Sequence, residues 1–179
     1  ENKEGFLPTE DVWYEKCIED EGPEARGVNL GCGSKDVGTF GLDLRKIGEQ
    51  GAGGERFSDA NQDVTGNADD LPFKDESLDY IIAAHILEHL LDPIGALDEW
   101  KRVLKKGGSL YMSMPDHDAI RTMLIDYTHV HAYTPKSIQN LLERTGWIID
   151  EIEDSPVGNF CIKARSMEKI SLHIEEAAG

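Results

Sequence analysis

A short apolar run, Gly27-Val28-Asn29-Leu30, stops abruptly at Gly31-Cys32-Gly33, and similar runs recur at intervals down the chain. Thr39-Phe40-Gly41-Leu42-Asp43-Leu44 reads as a second strand, and Ser77-Leu78-Asp79-Tyr80-Ile81-Ile82-Ala83-Ala84 as a strongly buried third. Runs this short and continuous mark strands inside a sheet. A brief strand is expected around 60–64, and others at Ser109–Met114, Trp147–Ile152 and Phe160–Ala164. Two helical patterns lie between them. Over 93–105, Ile94, Leu97, Trp100, Val103 and Leu104 share one face; Pro93 suits the first turn and Gly107-Gly108 stops the helix. Pro135–Thr145 follows, with Thr134 as N-cap and Gly146 as C-terminal stop. Strands alternating with helices give an α/β fold with a mostly parallel sheet covered on both faces. The last two strands are joined only through Ser155-Pro156-Val157-Gly158, so they are expected to pair as an antiparallel hairpin.

At 179 residues and 19.9 kDa, the chain is expected to form a single domain over 1–179. Within it, 1–25 reads as an N-terminal lid or packed segment, 26–165 as the core and 166–179 as a tail. The stretch 48–59, with Gly48, Gly51, Gly53 and Gly54, reads as a flexible loop. Lys plus Arg number 18 against 35 Asp plus Glu, a net charge of −17. That balance argues against nucleic acid, whose binders neutralise phosphates with clustered Lys and Arg, and against anionic lipid. No run approaches the 18 apolar residues of a membrane span. Cys17, Cys32 and Cys161 form no zinc spacing or disulfide framework, so the expected setting is reducing and cytoplasmic.

Glycines directly after a strand let backbone approach a ligand closely. The position that would complete a dinucleotide fingerprint, three after Gly33, is Asp36; its charge would repel a pyrophosphate. No G-K-[ST] follows, so this is no phosphate-binding loop. Asp43 ends the second strand beside the glycine turn, where an acidic residue accepts hydrogen bonds from ribose hydroxyls.

These residues resemble a known family. Val28-Asn29-Leu30-Gly31-Cys32-Gly33-Ser34 and Gly41-Leu42-Asp43-Leu44 resemble the first two motifs of class I S-adenosylmethionine-dependent methyltransferases. The stretch Asn67 to Asp79 is similar to their adenine-side loop and fourth strand. His85-Ile86-Leu87-Glu88-His89-Leu90, and Leu97 through Leu110, resemble the segment leading to the fifth strand. The resemblance covers about 27–114 in order. It implies a Rossmann-like, mostly parallel seven-stranded sheet with helices on both faces and a C-terminal antiparallel hairpin. It also implies an enzyme using S-adenosyl-L-methionine as cofactor. Gly31 and Gly33 would touch the methionine part, Asp43 the ribose, and Asn67, Ala68 and Asp69 the adenine edge, with Leu71 on the ring. Leu30, Cys32, Leu44 and His85 complete the expected donor contacts. Only twelve positions separate Gly31 from Asp43, too few for the usual helix. That short form resembles a subgroup linked to saccharide and cell-envelope biosynthesis. A small-molecule or saccharide acceptor is therefore expected, with a homodimer as the candidate oligomer. The alternative is a non-catalytic methyltransferase-like binding or partner subunit.

Methyl transfer from a sulfonium needs alignment first, and a base only for a weakly acidic acceptor. His85 follows the third buried strand at the carboxyl edge, where such sheets bind ligands. His89, four residues on, is a candidate to share its helical face, or Glu88-His89 only braces the helix. His129 and His131 would point to one side of an extended stretch. With Asp116 or Asp118 they form a candidate acceptor pocket, base or oxygen/imidazole metal site. His85, His129 and His131 are the catalytic candidates, and no metal ligand is assigned.

Overall fold

The computed structural model of the chain describes residues 10–33, 37–44, 62–155 and 158–167. The expected loop 48–59, Asp36 and the tail beyond 167 lie outside the described residues. Along the chain run α1 (Glu10–Glu21), β1 (Gly27–Leu30), β2 (Phe40–Asp43), β3 (Val64–Thr65) and β4 (Leu78–Ala84). A 3₁₀ turn (Leu87–His89), α2 (Pro93–Val103), β5 (Leu104–Pro115) and the one-turn helices α3 (His117–Ile120) and α4 (Thr122–Ile125) follow. α5 (Pro135–Arg144), β6 (Trp147–Asp154) and β7 (Asn159–Ser166) complete the order.

The seven strands form one open sheet in the order β3-β2-β1-β4-β5-β7-β6. Pairings from β3 across to β5 are parallel. β7 runs antiparallel to both β5 and β6. The expected Rossmann-like sheet with its C-terminal hairpin is what forms.

Alternate residues of β4 feed opposite faces, as the two-residue period of a strand requires. Ile81 and Ala83 join Val28, Leu97, Trp100, Ile138 and Leu142 in the core beneath α2 and α5. Tyr80 and Ile82 join Trp13, Tyr14, Cys17, Tyr111 and Cys161 beneath α1. α1 is therefore packed on the sheet. Its polar side is tied to the hairpin by Lys16–Glu151 at 3.1 Å and Asp20–Lys163 at 2.7 Å.

The helix ends follow local chemistry. Asp92 caps α2 by accepting the Gly95 N–H at 2.9 Å, with Pro93 in the first turn. Thr134 and Ser137 form a reciprocal capping box on α5. One expected core residue of α2 is not there: Ile94 is 53% exposed, while Ala96, Leu97, Trp100 and Val103 are buried. Six residues at about 100° each set Ile94 roughly 120° around the helix from Trp100. β5 begins at Leu104, five residues before the expected start. The extra stretch pairs Leu104 with Leu78 through an irregular register and bends at Gly107, whose φ is 72°.

α2 also pins the loop between β3 and β4. The Trp100 Nε1–H donates to the Ala68 carbonyl at 2.7 Å. Arg102 donates to the carbonyls of Leu71 (3.1 Å) and Phe73 (3.0 Å) and pairs with Glu99 at 2.7 Å. Glu99 also accepts the Leu71 N–H at 2.8 Å. Hydrogen bonds from Arg102 hold the Glu99 carboxyl below its ordinary value of 4.5. A depressed carboxyl contributes stability that is complete above its unfolded value and lost as pH falls through the folded one. Glu99→Gln should therefore lower stability at neutral pH and shallow the acid limb below pH 4.5. Urea denaturation as a function of pH reads both changes; parallel profiles for the two proteins would remove the assignment.

Candidate active site

Strand order reverses at β1. The chain leaves β1 toward β2 and β3, then returns to place β4 on the other side. Such a switch point opens a crevice at the carboxyl ends of the strands. Register places the ends level: Leu30 pairs with Leu42 on one side and Ala83 on the other. Gly31, Asp43 and His85 thus leave the sheet within two residues of one row.

The glycine turn is built by constraint. Gly31 (φ 63°) and Gly33 (φ 54°) are both left-handed, a region costly for other residues. A Cβ on Gly31 would also run into the Ile86 side chain. The N–H groups of Gly31 and Cys32 both donate to the Leu42 carbonyl, at 2.8 and 3.2 Å. Asp43, 3% exposed, accepts the Gly33 N–H at 3.3 Å. Acid and turn form one unit, as the sequence spacing anticipates. Residues 37–39 form no helix, in keeping with the short connection. Leu30 and Cys32 are buried and Leu44 is 65% exposed. Burial pushes the Cys32 thiol up to about 11, so it stays protonated.

On the next loop, Asn67 and Asp70 bridge across a turn, with the Asp70 N–H donating to the Asn67 carbonyl at 3.3 Å. Ala68 and Asp69 form its tip. Leu71 is 3% exposed and belongs to the core beneath α2.

Across the crevice, His85 follows β4 directly with φ 52°, and its N–H donates to the Ser113 carbonyl at 2.9 Å. Its Nδ1 lies 3.3 Å from Glu88 Oε1; the His85 side chain is 36% exposed and that of Glu88 2%. The segment after His85 closes as a single 3₁₀ turn, so His89 shares no helical face with His85. His89 Nδ1 instead meets the Thr128 carbonyl (3.3 Å) and Oγ1 (3.1 Å). The His89 and His129 rings stand edge to face, 4.7 Å between centroids. His129 Nε2 is 3.6 Å from Asp126 Oδ2. The Thr128 hydroxyl and N–H both donate to Asp126, which holds its carboxyl below the ordinary range.

The 126–133 segment is laced to the turn by the N–H groups of Val130 and His131, which donate to the Glu88 carbonyl at 2.9 and 3.1 Å. His131 packs 6.0 Å from the Tyr133 ring. Asp116 is engaged as the α3 cap, accepting the Asp118 N–H at 3.0 Å. The carboxylates near His129 are therefore Asp126 and Glu88, not Asp116 or Asp118. Sequence reading named Glu88 only as a brace. Its offset of three residues from His85 was the available signal for their contact. A cleft lined by His117, Asp118, Arg121, Met123 and Leu124 opens on α3 and α4, just before that segment in the chain.

Comparison with known proteins agrees with this geometry. A methyltransferase domain model matches residues 40–112, from β2 through β5. The stretch from β2 through β5 thus matches a methyltransferase domain, and the fold is the one shared by solved SAM-dependent methyltransferases. An uncharacterized 37.1 kDa transposon protein of Streptomyces fradiae is 31% identical over 142 residues, covering 72% of this chain and 41% of that protein. The demethylmenaquinone methyltransferase of Bacillus subtilis is 27% identical over 121 residues, covering 65% of this chain and 52% of its own. The chain spans about half the length, or less, of the curated relatives it matches. Among solved structures, an Archaeoglobus fulgidus SAM-dependent methyltransferase shares the fold with a TM-score of 0.64 at 17% identity, over 88% of this chain and 95% of that one. A Haloferax volcanii methyltransferase in complex with the Trm112 activator gives a TM-score of 0.63 at 18% identity, over 80% and 83%.

The cofactor of this methyltransferase family is S-adenosyl-L-methionine, and the glycine turn fits it. Both the left-handed φ of Gly31 and the Ile86 side chain packed where a Cβ would lie require glycine there. Asp43 sits beside that turn at the strand end, as a ribose-binding carboxylate must. Asp43→Asn keeps an oxygen for Gly33 but removes the charge. Donor affinity should fall by about 1–3 kcal/mol, the scale of hydrogen bonds to a charged group. Isothermal titration with S-adenosylhomocysteine measures it; unchanged affinity in a folded variant would remove the ribose assignment.

Proposed function

We propose that the chain transfers the methyl group of S-adenosyl-L-methionine to a small-molecule or saccharide acceptor at the carboxyl edge of the sheet. One observation carries this reading. The glycine turn with Asp43, and His85 with Glu88, leave neighbouring strands at the same level on opposite sides of the switch point. The donor supplies an electrophilic methyl on a sulfonium. The chain has to hold an acceptor atom about 3 Å from that methyl, in line with the sulfur. Set against Glu88 through Nδ1, the His85 imidazole is positioned to take the acceptor's proton. His129 and His131 frame the acceptor side, where the 117–124 cleft opens. Asn67, Ala68 and Asp69 edge the adenine, with Leu30, Cys32 and Leu44 along the donor.

The acidic surface favours a neutral or cationic acceptor over a nucleic acid. The short Gly31–Asp43 connection supports a saccharide in particular. Cys17, Cys32 and Cys161 are buried and form no disulfide, which suits a reducing cytoplasm. No described helix is long and apolar enough to cross a membrane. A homodimer remains the candidate assembly. A second reading, a non-catalytic partner subunit, draws on Leu124 (79% exposed), Ile125 (68%) and Tyr127 (91%) beside the site.

Incubation with methyl-labelled donor and panels of saccharides, small amines, phenols, nucleic acid and protein tests the proposal. Label should enter a saccharide or another small molecule. His85→Gln should cut turnover by about 10²–10⁴-fold, far more than it weakens donor binding. Label entering only nucleic acid or protein would overturn the acceptor class. Donor binding without turnover, together with a stable protein complex, would favour the partner subunit.

A further inference from the structure

One cluster at the acceptor edge has a geometry that methyl transfer does not account for. Glu88, His89 and His129 each place a ligand atom within 4.8 Å of the others. Glu88 is 2% exposed; its Oε1 has the His85 ring at 3.3 Å, and its Oε2 is buried without a hydrogen-bond donor. His129 Nδ1 is likewise buried without a partner. Buried polar atoms are nearly always paired, and a buried carboxylate most of all.

We propose that Glu88, His89 and His129 bind a divalent first-row metal ion, with Zn2+ the natural occupant. Metal-ligating histidines give one ring nitrogen to the ion and the other to an outer acceptor. Both rings are set that way. His89 turns Nδ1 to Thr128, leaving Nε2. His129 has Nε2 3.6 Å from Asp126, leaving the orphaned Nδ1. An ion accounts for the carboxylate and both imidazoles together. Two imidazoles and one carboxylate suit Zn2+ and its neighbours better than Mg2+ or Ca2+, which take oxygen ligands. Ligand atoms around Zn2+ at ~2.0–2.2 Å stand roughly 3–4 Å apart, so small side-chain adjustments close the site.

The backbone already holds the two halves in place. The 3₁₀ turn carries Glu88 and His89, the 126–133 segment carries His129, and the Glu88 carbonyl joins them. The ion would add a side-chain clasp at the acceptor edge. This site stands independently of the acceptor's identity.

Titration of ZnCl2 into chelator-stripped protein, without donor or acceptor, tests the site. One ion per chain should bind with micromolar or tighter affinity and raise the melting temperature. The double variant His89→Ala/His129→Ala should weaken that binding at least tenfold, and His117→Ala should leave it unchanged. Absence of saturable one-to-one binding would overturn the proposal, as would equal binding by the double variant. Should that variant fail to fold, zinc X-ray absorption of the wild-type chain decides. Scattering from two imidazoles supports the site, and an all-oxygen shell overturns it.

Discussion

The structure hangs on β4. It borders the switch point, feeds both apolar cores and ends at the edge that carries the candidate site. Ile81 and Ala83 hold the core under α2 and α5, while Tyr80 and Ile82 hold the one under α1. Its parallel partners, β1 and β5, flank it directly. At its amino end Asp79 accepts the Arg26 N–H at 2.9 Å and pairs with Lys105 at 2.6 Å, locking entry into the sheet. At its carboxyl end the chain turns through the left-handed His85. Burial on both faces fixes the register, since a one-residue slip would exchange the two cores. The position of His85 relative to Gly31 is therefore a consequence of core packing, not of local loop preference.

Much of this was legible in the sequence because the signals are local. Continuous apolar runs give the strands, and Asp92-Pro93 and Thr134-Pro135 mark the starts of α2 and α5. The missing helix before the final strand gives the hairpin. Gly31, Gly33 and Asp43 were readable as a site because adjacent strand ends put them together whatever the distant chain does. Ile94 was misplaced because a one-turn error in the helical face costs nothing in the pattern, yet decides burial. β5 was shortened because Lys105, Lys106 and the glycines read as a helix stop, although the irregular pairing with Leu78 continues through them.

The histidine side was less legible for a physical reason. His89 and His129 are forty positions apart in sequence. Their meeting depends on the turn after β4 being 3₁₀ and on a main-chain carbonyl, that of Glu88, receiving Val130 and His131. Neither depends on side-chain pattern. Asp116 looked available to His129 by proximity in sequence, but capping a helix start is a stronger local demand on that carboxylate. The carboxylate that reaches His129 comes instead from Asp126, positioned by Thr128.

The net charge of −17 bears on the site through what it leaves unpaired. Described cations such as Lys16, Arg102, Lys105, Lys163 and Arg165 are engaged with carboxylates on the body of the fold. Exposed pairs of this kind contribute little stability each, so their arrangement matters more for the field than for folding. Asp43 and Glu88, by contrast, are carboxylates buried at the carboxyl edge. Low local dielectric makes their charges felt there, as the Tyr133 phenol shows: burial and the nearby Glu88 push it up to about 12. An edge holding two buried carboxylates attracts positive charge. On the readings proposed above, the donor's ribose hydroxyls answer Asp43 and a metal ion answers Glu88, so each half of the crevice offers a buried carboxylate to its ligand.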